Sequence, residues 1–180
     1  MMELRVFTVD AFTSVPFCGN PAAVVPLDAP LPEDLLQKIA TEFNLSETAY
    51  LTPLPEAGTC GDRVWSTCGK FGLRWFTPLN EVPLCGHATL AAAHALISCL
   101  GNSCSKFEFE TLSGTLVARK DSETQKITLD FPNYEPVPLS DHHADLATLV
   151  KLVEEQLPVQ DVRVSLTARK LIVRIKDSCT

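Results

Sequence analysis

The chain has 180 residues, 46% apolar and 21% charged, which excludes a largely disordered protein and allows one domain, or one lobe plus part of another. A formal charge of −7, from 15 basic and 22 acidic residues, argues against nucleic acid as a partner. Seven cysteines, an odd number, behind an N-terminus (Met1-Met2-Glu3-Leu4-Arg5-Val6-Phe7) without a secretory pattern predict free thiols in the cytoplasm, and no pair of C-x2-C hooks calls for a metal.

In chain order, Leu4 to Val9 alternates as a strand. Phe17-Cys18-Gly19-Asn20-Pro21 then turns, and Ala22 to Leu27 reads as a second strand. Pro32-Glu33-Asp34 opens a helix whose stripe is Leu35, Leu36, Ile39, Ala40 and Phe43, with its stop near Asn44. Thr48 to Thr52 is β-prone, and residues 54–69 have the composition of a loop. Phe71, Leu73, Trp75 and Thr77 alternate along a strand that Pro78 closes.

Gly86-His87-Ala88-Thr89 starts a helix to about Ser98 that is apolar nearly all round, so it should be buried on every side, with His94 as a core histidine. Its apolar run is about half the length that spans a bilayer, so no membrane is expected. Gly101-Asn102 ends it. Strands follow at Lys106–Glu110, Gly114–Lys120 and Lys126–Phe131, the last alternating as in a sheet with one wet face. Asp145 to Leu157 is an amphipathic helix, with His142-His143 in a polar linker before it. Val162 to Leu166 and Leu171 to Ile175 look like a closing β-pair. Arg163, Arg169, Lys170 and Arg174 read as a solvated strand face. Without regular β-α-β-α alternation, the class is α+β, with mixed sheet curled round buried helix.

Four stretches in this order carry a resemblance: Asp10-Ala11-Phe12-Thr13 with Gly19-Asn20-Pro21-Ala22-Ala23-Val24; Asn44-Leu45-Ser46-Glu47-Thr48-Ala49; Phe71 to Pro78; and Glu81 to Leu90. Together they resemble the PhzF-like family, and within it the animal phenazine-biosynthesis-like-domain proteins, over roughly residues 3–178. The resemblance implies a diaminopimelate-epimerase-like fold of two similar lobes with the site in the cleft between them. Residues 1–120 would be the first lobe and 121–180 an incomplete second lobe. The family's Asp-Pro-x-Thr-Gly-Ser stretch has no counterpart here, and residues 58–69, with Cys60, Gly61, Trp65 and Cys68, look bulkier than the family's loop. The implied activity is a cofactor-independent isomerase or epimerase shifting a proton on a small carboxylate-bearing substrate, in a possible homodimer. The alternative is a catalytically inactive isoform or fragment acting as a protein-interaction module.

From spacing alone Glu47 reads as a surface acid or a backbone cap; the resemblance instead matches it to the family's general acid/base. A single base can lift a proton from an acidic C–H and return it elsewhere, and needs no cofactor if the substrate spreads the charge. Gly86 and His87 open the buried helix, whose free N–H groups could hold a carboxylate; otherwise Gly86 serves backbone shape and His87 caps. Cys85 sits where related epimerases carry a catalytic thiol and would gain thiolate character from the helix dipole; the alternative is a thiol lining the cleft. Asn20 either lines the cleft or is a turn asparagine. Asp10 either serves the site or caps a strand end. Cys99 and Cys104 flank a helix end at a spacing of no common metal site.

Overall fold

The computed structural model describes residues 3–54, 63–139 and 144–177. Cys60, Gly61, His142, His143, Cys179 and Thr180 lie outside the described residues. The chain divides into two compact units, Met1–Phe131 and Pro132–Thr180. The boundary expected at 120 falls between two strands that pair with each other, Gly114–Lys120 and Ile127–Asp130.

The first unit is a mixed sheet bent round one helix. Its strands are β1 (Phe7–Ala11), β2 (Asn20–Pro26), β3 (Glu47–Pro53), β4 (Lys70–Phe76), β5 (Glu81–Val82), β6 (Lys106–Thr111), β7 (Gly114–Lys120) and β8 (Ile127–Asp130). The order is β1-β2-β3-β4-β6-β7-β8, with β5 paired to β4. β2 runs parallel to β3, and β4 parallel to β6; the other pairs are antiparallel.

Period-2 alternation sends successive side chains to opposite faces; β2 is apolar on both, whereas β4 and β6 carry Arg74, Glu108 and Glu110 on the face away from helix α3 (Gly86–His94). Val24, Ala49, Leu51, Leu73, Trp75, Phe107 and Phe109 point to one side and pack against α3. Val25, Tyr50 and Phe76 point to the other and meet Leu36 and Ala40 of helix α1 (Glu33–Phe43). Tyr50 donates its hydroxyl proton to the Leu36 carbonyl at 2.6 Å. Each fully buried aliphatic or aromatic side chain contributes about 1.5–3 kcal/mol, so these two clusters hold the unit together. Asn44, in the left-handed region at φ 50°, ends α1 where the sequence places its stop.

Three features differ from the sequence expectation. A one-turn helix, α2 (Val64–Thr67), interrupts the loop; Trp65 stacks on Phe71 and donates Nε1–H to Asp28 at 2.7 Å. The end of the central helix continues as a π-turn, Ala95–Cys99. His94 is exposed rather than a core histidine. The sheet's two end strands, β1 and β8, stay apart over the helix, leaving a groove of about 840 Å³ lined by Thr8, Leu90, Ala91, His94, Cys99 and Ile127. The helix is therefore covered on most sides, not all. Cys18, Cys85 and Cys99 are free thiols.

Gly19 is required by a close backbone approach. A Cβ there would lie 2.5 Å from the Ala11 carbonyl oxygen and 2.6 Å from the Thr13 methyl. The hairpin that delivers Asn20 to the sheet edge can close only over glycine. Its loop also holds Phe12 and Phe17 at positive φ, and the Asp10 carboxylate accepts the Phe17 N–H at 2.9 Å.

The second unit contains β9 (Val137–Pro138), helix α4 (Ala144–Glu154), β10 (Val159–Ser165) and β11 (Lys170–Ile175), in the order β11-β10-β9. Val150 and Val164 are buried, while Leu149, Leu152 and Ile172 are exposed. Arg163 and Arg174 face solvent, pairing with Asp161 and Asp177. Among the described residues no helix is long and apolar enough to cross a membrane.

Candidate active site

Glu47 is the first residue of β3. Alternation puts it on the face of Ala49 and Leu51, which look onto α3. Ala22 of β2 lies in register beside Glu47, so Asn20, two residues earlier, shares that face and that end of the sheet. The N-terminus of α3 arrives at the same end. Cys85 is its capping residue, Gly86 and His87 its first two residues, and Cys85 and His87 are buried. Four sequence candidates, Glu47, Cys85, Gly86 and His87, thus converge, although Glu47 and Cys85 lie far apart along the chain.

The contacts form one chain of polar groups. His87 Nε2 lies 3.2 Å from Glu47 Oε2 and 3.2 Å from Ser46 Oγ. Ser46 Oγ lies 3.3 Å from the Pro21 carbonyl oxygen. His87 Nδ1 lies 3.4 Å from Cys85 Sγ. Hydrogen-bond roles then assign the tautomer. A carbonyl only accepts, so Ser46 donates to Pro21, and the Ser46 oxygen takes the Nε2–H. Nδ1 is left as an acceptor for the Cys85 S–H. The Nε2–H therefore points between Ser46 and Glu47. Glu47 Oε2 is shut off from solvent without a hydrogen-bond partner of good geometry among the described residues. It is the group in the cluster with spare accepting capacity.

A helix start by itself favours thiolate character at Cys85, but here burial dominates. Burial raises its pKa from 9.0 to about 11, and the negative charge of Glu47 adds to that. The N–H groups of Ala88 and His87 pull the other way and are outweighed. At neutral pH it is a thiol, matching the S–H donor role above.

Gly86 has no positive φ; a Cβ on it would come 3.3 Å from the Phe131 ring. Thr89 Oγ1 and N–H both bond the Cys85 carbonyl, fixing the first turn. Asn20 is exposed at the rim and Asp10 serves as a loop cap. Ser46 was not singled out from the sequence; its only signal is adjacency to Glu47. The donor atoms of Glu47, Cys85 and His87 all lie within 4.8 Å of one another, so these three could also hold a metal ion.

Comparison with known proteins places this geometry in context. The family model described as phenazine biosynthesis-like protein (PhzC-PhzF) matches residues 9–180. Phenazine biosynthesis-like domain-containing protein 1 of Mus musculus is 46% identical over 177 residues, covering 98% of this chain and 58% of its own length. An uncharacterized isomerase of Pseudomonas aeruginosa is 42% identical over 174 residues, with 97% of this chain and 61% of that protein covered. The crystal structure of a PhzF-family phenazine biosynthesis protein from Enterococcus faecalis superposes with a TM-score of 0.72 at 35% identity, covering 98% of this chain and 59% of that one. The chain spans about three-fifths of the length of the relatives it matches.

Proposed function

We propose, for a chain that belongs to the phenazine biosynthesis-like protein (PhzC-PhzF) family, an isomerase of a small carboxylate-bearing molecule in which Glu47 moves the proton. The observation that carries this reading is the Glu47–His87 pair at 3.2 Å beside the open N-terminus of α3. Glu47 takes a proton from an acidic C–H of the substrate, whose own conjugation holds the electron pair, and returns it to another carbon. No cofactor enters this step. The positive end of the α3 dipole at Gly86 attracts the substrate carboxylate, with Asn20 at the rim. The Nε2–H of His87 points between Ser46 and Glu47, beside the carboxylate.

A proton shift on one face suits the geometry better than inversion at one carbon. Inversion needs a second group on the opposite face of the substrate, and Cys85 lies on the same side as Glu47 and is neutral at pH 7. The isomerase name of the Pseudomonas aeruginosa relative agrees in class. The test is to incubate the chain in deuterium oxide with a panel of unsaturated small carboxylates and follow label uptake by NMR. Wild type takes up deuterium and Glu47→Gln does not; equal uptake by both refutes the assignment.

A second reading, an inactive interaction module, is favoured by a separate observation. Phe17 and Phe12 in the β1–β2 loop are 96% and 73% exposed. Exposed aromatics on one loop mark a contact surface. Self-association of the chain that Phe17→Ser abolishes supports this reading; a monomer at all concentrations removes it.

A further inference from the structure

We propose that Glu47, Cys85 and His87 form a binding site for a single zinc-type divalent ion, a property that goes beyond the proton chemistry assigned to Glu47. A carboxylate oxygen, a thiolate sulfur, formed as the ion displaces the Cys85 proton to solvent, and an imidazole nitrogen form the mixed donor set that borderline-soft ions take, and that magnesium and calcium do not.

The spacing agrees. Adjacent ligand atoms on a tetrahedral zinc, with bonds of about 2.0–2.3 Å, lie about 3.3–3.5 Å apart. Here Glu47 Oε2 lies 3.2 Å from Nε2, while Cys85 Sγ lies 3.4 Å from the other ring nitrogen, Nδ1; one ligand atom from each of the three residues lies within 4.8 Å of the others. A ring binds through one nitrogen at a time. Glu47 stands at Nε2 and Cys85 at Nδ1, so binding takes a rotation of one of these side chains. Two rigid elements, the start of β3 and the start of α3, supply all three ligands, and Cys85 and His87 are buried. Glu47 Oε2, shielded from solvent and without a hydrogen bond, is a ready ligand. Three protein ligands leave a fourth position for water or a substrate oxygen. The ion and the catalytic proton would compete for the same carboxylate, so zinc would act as an inhibitor.

The test uses cobalt(II) as a coloured substitute for zinc. Wild type is expected to show a thiolate-to-cobalt band in the near ultraviolet that saturates at one equivalent and is erased by zinc. Cys85→Ser removes the band, and His87→Gln and Glu47→Gln each weaken zinc binding in calorimetry at least about 10-fold. Magnesium binds to none of them. A wild type without the band, a band unchanged in Cys85→Ser, or zinc affinity equal in all variants overturns the site. Because a variant can fail to fold, a second measurement uses wild type alone. One equivalent of zinc should protect Cys85 from alkylation while Cys18 stays reactive; equal labelling of Cys85 with and without zinc also overturns it. Absence of deuterium exchange would leave both results unaffected, so the two proposals fail separately.

Discussion

If burial and the Glu47 charge hold the Cys85 thiol at a pKa of about 11, its alkylation must depend on pH in a specific way. Only the thiolate reacts. At pH 8 a thiol with the ordinary value of 9.0 is about one-tenth ionised, whereas one at 11 is about one-thousandth ionised, a difference of about 100-fold. Pulse alkylation with iodoacetamide, read by peptide mass spectrometry, gives the Cys85 rate in the native chain and in urea. In urea the rate should level off near pH 9. In the native chain it should keep rising about tenfold per pH unit to near pH 11. Steric shielding alone would lower the native rate without moving the plateau, so the plateau separates the two causes. Glu47→Gln removes one of the contributions and should move the native plateau down. A native plateau near pH 9 would refute the reasoning and reopen Cys85 as the acid/base group. The sign for stability follows from the same shift. The folded thiol holds its proton more tightly than the unfolded one, so this contribution is full below pH 9 and is lost as pH rises towards 11. Cys85→Ser should flatten that loss.

Two further outcomes are expected. Asn102 donates to the carbonyls of Trp65 and Cys68 at 2.8 Å each and accepts the Cys104 N–H at 2.9 Å. Asn102→Ala removes all three contacts, so it should cost about 3 kcal/mol and lower the urea midpoint by about 1–3 M; a loss under about 0.5 kcal/mol contradicts this. His87 should give the Nε2–H tautomer in nitrogen-15 spectra of histidine-labelled chain at pH 8, and an Nδ1–H pattern would contradict the hydrogen-bond chain from Cys85 to Pro21.

Much of the sheet was readable, because strands such as Phe71 to Thr77 alternate cleanly and each has one face towards α3. That same alternation sets Glu47 with Ala49 and Leu51, so the orientation of the site acid was implicit in β3. Its nearness to His87 was not. Spacing alone favours a surface acid or a cap at Glu47, and only the resemblance singles it out. His94 was misread because the residues around it in α3 are apolar on all sides; its exposure comes from β1 and β8 staying apart, a feature of topology rather than of local pattern. The cap expected to activate Cys85 was real, but burial and the Glu47 carboxylate outweigh the helix N–H groups, a balance set by residues distant in sequence. Asn102 was legible as a helix stop, while its role in tying α2 to the helix end depends on contacts no periodicity encodes. The two-residue strands β5 and β9 are too short to leave a pattern.

The most direct test of Glu47 as the proton carrier separates binding from exchange. Carboxylates that wild type deuterates should still broaden in NMR when mixed with Glu47→Gln, while their exchange falls by at least about 100-fold. Binding retained with exchange lost is the predicted result; exchange that persists in Glu47→Gln would contradict the account.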